Sequence, residues 1–132
     1  MPDETLLAFD YGVKKIGVAV GNTVTRQARP LEILKCATRI QRFAAIDALL
    51  ATWQPQRVVV GLPLTSLGEE QAASFRCRRF ANQLRGRFGV VVVLVDERGS
   101  SIEAQELLGS NADDDAQAAA VILQRYLDAL DL

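Results

Sequence analysis

Histidine is absent from this chain, and that absence excludes more chemistry than any other feature of its composition. Without an imidazole there is no Ser-His-Asp or Cys-His catalysis and no histidine-bearing zinc site. Acid–base or metal chemistry falls to carboxylates, lysines, tyrosines or water. Cysteine is scarce as well: Cys36 and Cys77 are isolated, without metal-ligand spacing. Both are expected to be reduced, buried small hydrophobes. No apolar run approaches the roughly 18 residues that span a bilayer. The opening MPDETLLAFD is acidic and lacks the basic region and cleavage site of a signal peptide. These absences point to the cytosol and away from membranes.

The 132 residues are expected to form one domain, 1–132, with enough chain to bury a core. A net charge of −1 and a pI near 5.4 rule out a uniformly basic nucleic-acid-binding protein. The charge is unevenly spread, however. Between Gln71 and Phe88 stand Arg76, Arg78, Arg79, Arg85 and Arg87 with no acid, whereas acids outnumber bases from Asp96 onward. A basic helix beside an acidic pocket suits a metal-dependent enzyme acting on a polyanion. A merely solvated helix face would show the same arginines.

Short apolar runs bounded by glycine predict a hairpin over Leu6–Gly21, its turn holding Tyr11 to Lys15. A third strand is expected over Leu31–Lys35. Phe43, Ile46, Leu49, Leu50 and Trp53 recur at helical spacing in Arg39–Trp53, and Pro55 ends that helix. RVVVGL, Arg57–Leu62, is nearly all apolar, as a strand buried on both faces requires. Glu69–Phe88 reads as a long helix with Ala73, Cys77, Phe80, Ala81 and Leu84 on its buried stripe and Gly89 at its end. Val90–Val95 is a second buried strand, Ser101–Leu108 a short helix, Asn111–Asp115 an acidic helix start, and Ala116–Leu130 the last helix. Strands alternating with helices late in the chain imply an α/β fold with parallel pairing and helices on both faces.

Two buried strands end in acid: Asp10 closes the first, Asp96 and Glu97 the last. Asp113, Asp114 and Asp115 open the final helix. An acid at the end of a buried strand is costly unless paired, hydrogen-bonded or metal-bound. In a mostly parallel sheet, strand C-terminal ends share one edge, where ligand sites gather. All-oxygen ligation suits Mg²⁺ or Mn²⁺, and two such ions can activate a water and stabilise a leaving oxygen in phosphodiester cleavage. Plainer readings exist for each acid: a turn cap at Asp10, a salt bridge from Asp96 or Glu97 to Arg98, and helix capping at Asp113–Asp115.

The segments FDYGVKKIGVAVG, VVVGLPLTSLGEE, FANQLRGRFGV, DERGSSIEAQELL and DAQAAAVILQRYL cover nearly the whole chain. In that order they resemble the YqgF family, also called RuvX, a group of pre-16S rRNA nucleases or Holliday-junction resolvases. The resemblance implies an RNase H-like mixed sheet of about five strands, an antiparallel hairpin followed by parallel strands. It implies that Asp10, one of Asp96 and Glu97, and Asp115 hold the metals. Because adjacent strand residues face opposite ways, only one of Asp96 and Glu97 reaches a metal directly, and Glu97 is favoured. Lys14, Lys15, Arg76, Arg79 and Arg98 are the expected phosphate contacts. The sequence departs from the family pattern at Ser100 and Ser101, where threonines are usual, and after Thr65, where an asparagine is usual. Its segment before the last aspartate is short and acidic.

The function implied is a Mg²⁺- or Mn²⁺-dependent endonuclease of structured nucleic acid that matures the 5′ end of pre-16S rRNA. The expected partners are precursor rRNA, branched DNA and ribosomal particles, bound by a monomer or a homodimer. Two alternatives are a Holliday-junction resolvase and a non-catalytic RNA-binding assembly or transcription factor. A nucleotide-binding ATPase with a similar first loop needs two such lobes, and 132 residues supply one.

Overall fold

The structure is a computed structural model and describes residues 3–98 and 115–130. Its elements are β1 (Thr5–Tyr11), β2 (Ile16–Asn22), β3 (Ala28–Leu34), α1 (Arg39–Trp53), β4 (Arg57–Leu62), α2 (Ala72–Phe88), β5 (Val92–Asp96) and α3 (Asp115–Ala129). The five strands lie in the order β3-β2-β1-β4-β5. β1 pairs antiparallel with β2, and β2 with β3, whereas β1–β4 and β4–β5 are parallel. The fold is therefore an RNase H-like α/β mixed sheet with β1 at its centre.

Strand alternation divides the core in two. Leu7 and Phe9 of β1 and Val58, Val60 and Leu62 of β4 face α1 and α2, where Phe43, Ile46, Cys77 and Phe80 are buried. Leu6 and Ala8 of β1 and Val59 of β4 face α3, against Ala119, Ile122 and Leu123. The alanines of α3 keep that helix close to the sheet. Helices thus cover both faces.

α1 and β4 occupy the spans read from the sequence, but other boundaries differ. The expected strand over Leu31–Lys35 runs over Ala28–Leu34 at the edge of the sheet, where the missing N–H of Pro30 is tolerated. α2 starts at Ala72, not Glu69. A Leu64–Glu70 bridge and a bond from the Thr65 N–H to the Glu69 carbonyl at 2.9 Å hold the preceding residues as a loop. Ser74, not Ala73, joins the buried stripe of α2. Its hydroxyl accepts from the Gln71 N–H at 2.9 Å and donates to the Pro63 carbonyl. β5 starts at Val92, two residues later than expected, and Cys36 is only half-buried. The helix expected over Ser101–Leu108, and Asp113 and Asp114, lie outside the described residues. Among the described residues no helix is long and apolar enough to cross a membrane.

Gly17 of β2 is where α3 meets the sheet most tightly. A Cβ there would lie 2.0 Å from the Asp115 carbonyl oxygen. Gly17→Ala is expected to destabilise the protein by about 1–3 kcal/mol through overpacking. Gly86→Ala, on α2 with nothing within 4 Å of its Cβ, should instead stabilise by about 0.5–1 kcal/mol. Urea unfolding of both variants checks this, and a neutral Gly17→Ala would contradict the contact.

Candidate active site

Since β1, β4 and β5 run parallel, Asp10 and Glu97 emerge at one edge of the sheet. Asp10 follows Leu6 and Ala8 onto the α3 face and lies opposite Gly17 in the β1–β2 register. Glu97 follows Val95 onto that same face, whereas Asp96 follows Val92 and Leu94 toward the α1–α2 face. The Glu97 N–H donates to the Leu62 carbonyl at 3.2 Å, continuing the ladder one residue past β5. Gly61 makes the room for the Glu97 side chain. A Cβ at Gly61 would stand 2.9 Å from Glu97 Oε2 and 2.7 Å from Ile122 Cδ1.

Glu97 and Asp10 are joined by a side-chain hydrogen bond, which requires a proton between two carboxyls. Burial first, then that bond and the Asp10 charge, push the Glu97 carboxyl up to about 9, against the opposing charge of Arg125. The pair titrates as a unit. Asp96 behaves in the opposite way. It accepts from the Arg98 N–H at 2.9 Å and from Arg98 Nε at 2.8 Å, and these hydrogen bonds hold it below its ordinary range despite some desolvation.

Asp115, the first residue of α3, is brought beside β2 by Gly17, and Lys15 Nζ lies 2.8 Å from its Oδ2. Asp115 is thus turned toward a lysine, and among the described residues no three acids close on a single point. Of the other cations singled out from the sequence, Arg98 is engaged with Asp96 and donates to the Ser66 carbonyl at 3.3 Å. Lys14, Arg76 and Arg79 are exposed, and no ion pair engages them among the described residues.

Two neighbours of the site were not singled out from the sequence as site residues. Arg125 donates to the Asp96 carbonyl at 3.1 Å, and its charge acts on Glu97. It stands three residues after Ile122, the residue that touches Gly61, so helical spacing places it. Cys77 is buried in the core between the sheet and α2. Burial, with the charges of Glu97 and Asp10, pushes its thiol up to about 12, which makes it an inert packing group.

A five-stranded mixed sheet, flanked by helices and carrying carboxylates where its central parallel strands end, is the arrangement of an RNase H-like fold. Residues 4–129 match the family model described as RuvX, Holliday junction resolvase, and the chain belongs to that family. A Bordetella petrii protein named "Putative pre-16S rRNA nuclease" is 73% identical over 130 residues, 98% of this chain and 99% of its own length. One of the same name from Burkholderia mallei is 53% identical over 132 residues, 97% of this chain and 90% of its own. Among solved structures, Thermus thermophilus RuvC in complex with a Holliday junction substrate superposes with a TM-score of 0.61 at 19% identity, over 95% of this chain and 94% of that one. The fowlpox virus Holliday junction resolvase gives 0.59 at 16%, over 96% and 99%. At such identities these two establish the shared fold.

The raised Glu97 carboxyl has a consequence for stability. The unfolded chain ionises this group near the ordinary glutamate value, about 4.3, while the folded chain keeps it protonated to about 9. Its contribution to stability is therefore fully present below pH 4.3 and is lost progressively toward pH 9. Asp96 acts with the opposite sign, but below this window. In chelator, the melting temperature of the wild type should fall between pH 5 and pH 8, whereas Glu97→Gln should flatten that fall and melt a few degrees higher at pH 8, roughly 1 kcal/mol. A Glu97→Gln variant less stable than wild type at pH 8 would contradict a carboxyl held neutral.

Proposed function

We propose that this protein is a divalent-metal-dependent endonuclease of structured RNA, whose substrate is the 5′ extension of precursor 16S rRNA. The carrying observation is the buried Asp10–Glu97 pair, two carboxyls forced together on one face of the sheet. The name borne by the relatives from Bordetella and Burkholderia supports the choice of substrate. Asp10, Glu97 and Asp115 would hold Mg²⁺ or Mn²⁺. The donor set is all oxygen, the Gly61 hollow is one a Cβ would fill, and the repulsion within the pair is what a cation relieves. A divalent cation bound there would lower the pKa of a water and offset charge building on the phosphate.

The chain's own groups do the rest. Glu97 holds the proton it shares with Asp10, a proton that would pass to water if the pair held a cation. Lys15 neutralises Asp115 at 2.8 Å, and its ammonium would be free to meet a phosphate if Asp115 held the cation instead. Lys14, Arg76 and Arg79 contact phosphates without reading sequence, and Arg98 joins them by exchanging Asp96 for a phosphate oxygen. With no histidine and an inert Cys77, the attacking group is water rather than a side chain. The protein works as one domain in the cytosol, on free precursor RNA or on ribosomal particles. One site suffices to trim RNA, so a monomer is enough.

The family description as Holliday junction resolvase favours a second substrate, a four-way DNA junction, whose two symmetric cuts need a homodimer. Both substrates, a 5′-extended precursor RNA and a four-way junction, should be incubated side by side in Mg²⁺, Mn²⁺ and EDTA with wild type and Asp10→Asn. RNA cutting that needs metal and falls about a hundredfold or more in the variant is expected. Preferential junction cutting would move the substrate to DNA. Binding without cutting in every metal, equal for both proteins, would leave an RNA-binding assembly factor.

A further inference from the structure

Arg39 and Arg87 hold charge at a place that neither the core nor the carboxylate edge requires. Both guanidinium groups lie over the Phe43 ring, at 5.8 and 4.1 Å from its centroid. With Ile40 and Asp47 they line an open groove of about 620 Å³ between α1 and α2. Neither arginine forms an ion pair among the described residues, with Asp47 or any other acid. Two like charges converging on one ring repel each other, and an anion set between them relieves that repulsion.

The groove is also the end of a line. Arg76, Arg79, Gln83 and Arg87 recur at three- and four-residue spacing, so they form one stripe along α2, a helix without a single acid. The stripe starts beside Cys77, the buried residue whose thiol feels the charges of Asp10 and Glu97. It ends about 17 Å away at Arg87, by the helical rise. A positively charged groove that tracks the backbone, with arginines adding cation–π contacts, is how proteins hold single strands without reading sequence.

We propose that this stripe is the track of one nucleic-acid strand, running from the carboxylate edge to a phosphate anchor between Arg39 and Arg87. It rests on the nuclease reading and adds a binding site remote from the cut. The alternative role for both arginines is to cover Phe43, and a salt titration separates the two.

Arg39→Gln, Arg87→Gln and the double variant should be compared with wild type for binding of a long single-stranded RNA over a series of salt concentrations. Arg29→Gln is the control: Arg29 lies over Trp53 at 5.6 Å in the same kind of contact, but off the track. Each track substitution is expected to weaken binding about three- to tenfold near physiological salt and to make the salt slope shallower by about 0.7. Arg29→Gln should match wild type, and the single-turnover rate at saturating RNA should not change. RNA only a few nucleotides long should bind the double variant as it binds wild type. An unchanged slope in the double variant, whatever its melting temperature, overturns the track and leaves a ring-covering role. Wild type that binds no RNA at all would overturn the nuclease reading together with it.

Discussion

The first turn of α3 lies against Gly17 of β2, backbone on backbone, and the candidate site depends on that contact. A side chain at position 17 would occupy the space of the Asp115 carbonyl. With a hydrogen there, the helix closes on the sheet and sets Asp115 beside β2, opposite the strand that carries Asp10. Gly61 does the same on the other side of β1, giving Glu97 and Ile122 room that a methyl group would take. Two missing Cβ atoms thus let Asp115 sit beside β2 and Glu97 reach Asp10.

That approach is electrostatically unfavourable, and the surroundings show how it is tolerated. Glu97 keeps a proton, Asp115 is faced by Lys15, and Arg125 lies near enough to act on the pair. Asp96 stands next to Glu97 in sequence yet on the other face, where Arg98 holds it ionised. Two adjacent carboxyls are thereby set in opposite protonation states by burial and partners alone. A buried pair of carboxyls is poor for stability and well suited to binding a cation, a conflict characteristic of functional sites.

Much of this was legible in the sequence because it follows from periodicity. The spans of α1 and β4 were readable from helical spacing closed by Pro55 and from an unbroken β-branched run closed by Pro63. Strand alternation already required Asp96 and Glu97 to part company. The start of α2 was not legible, because the Leu64–Glu70 bridge and the Ser74 contacts are tertiary and override the helix propensity of Glu69 and Glu70. Pairing of Lys15 with Asp115 was hidden for the same reason: it spans the chain, and only the closed sheet brings the hairpin turn to α3. The purpose of Gly61 within β4 emerges only once Glu97 is in place.

Asp10, Glu97 and Asp115 are proposed to form a cation site at the α3 face of the sheet. Anomalous diffraction from crystals soaked in Mn²⁺ tests it most directly. Manganese peaks are expected against Asp10 and Glu97, with Lys15 withdrawn from Asp115. Crystals with no peak at this edge, or with manganese on Asp96 while the Asp10–Glu97 bond stays intact, would contradict it.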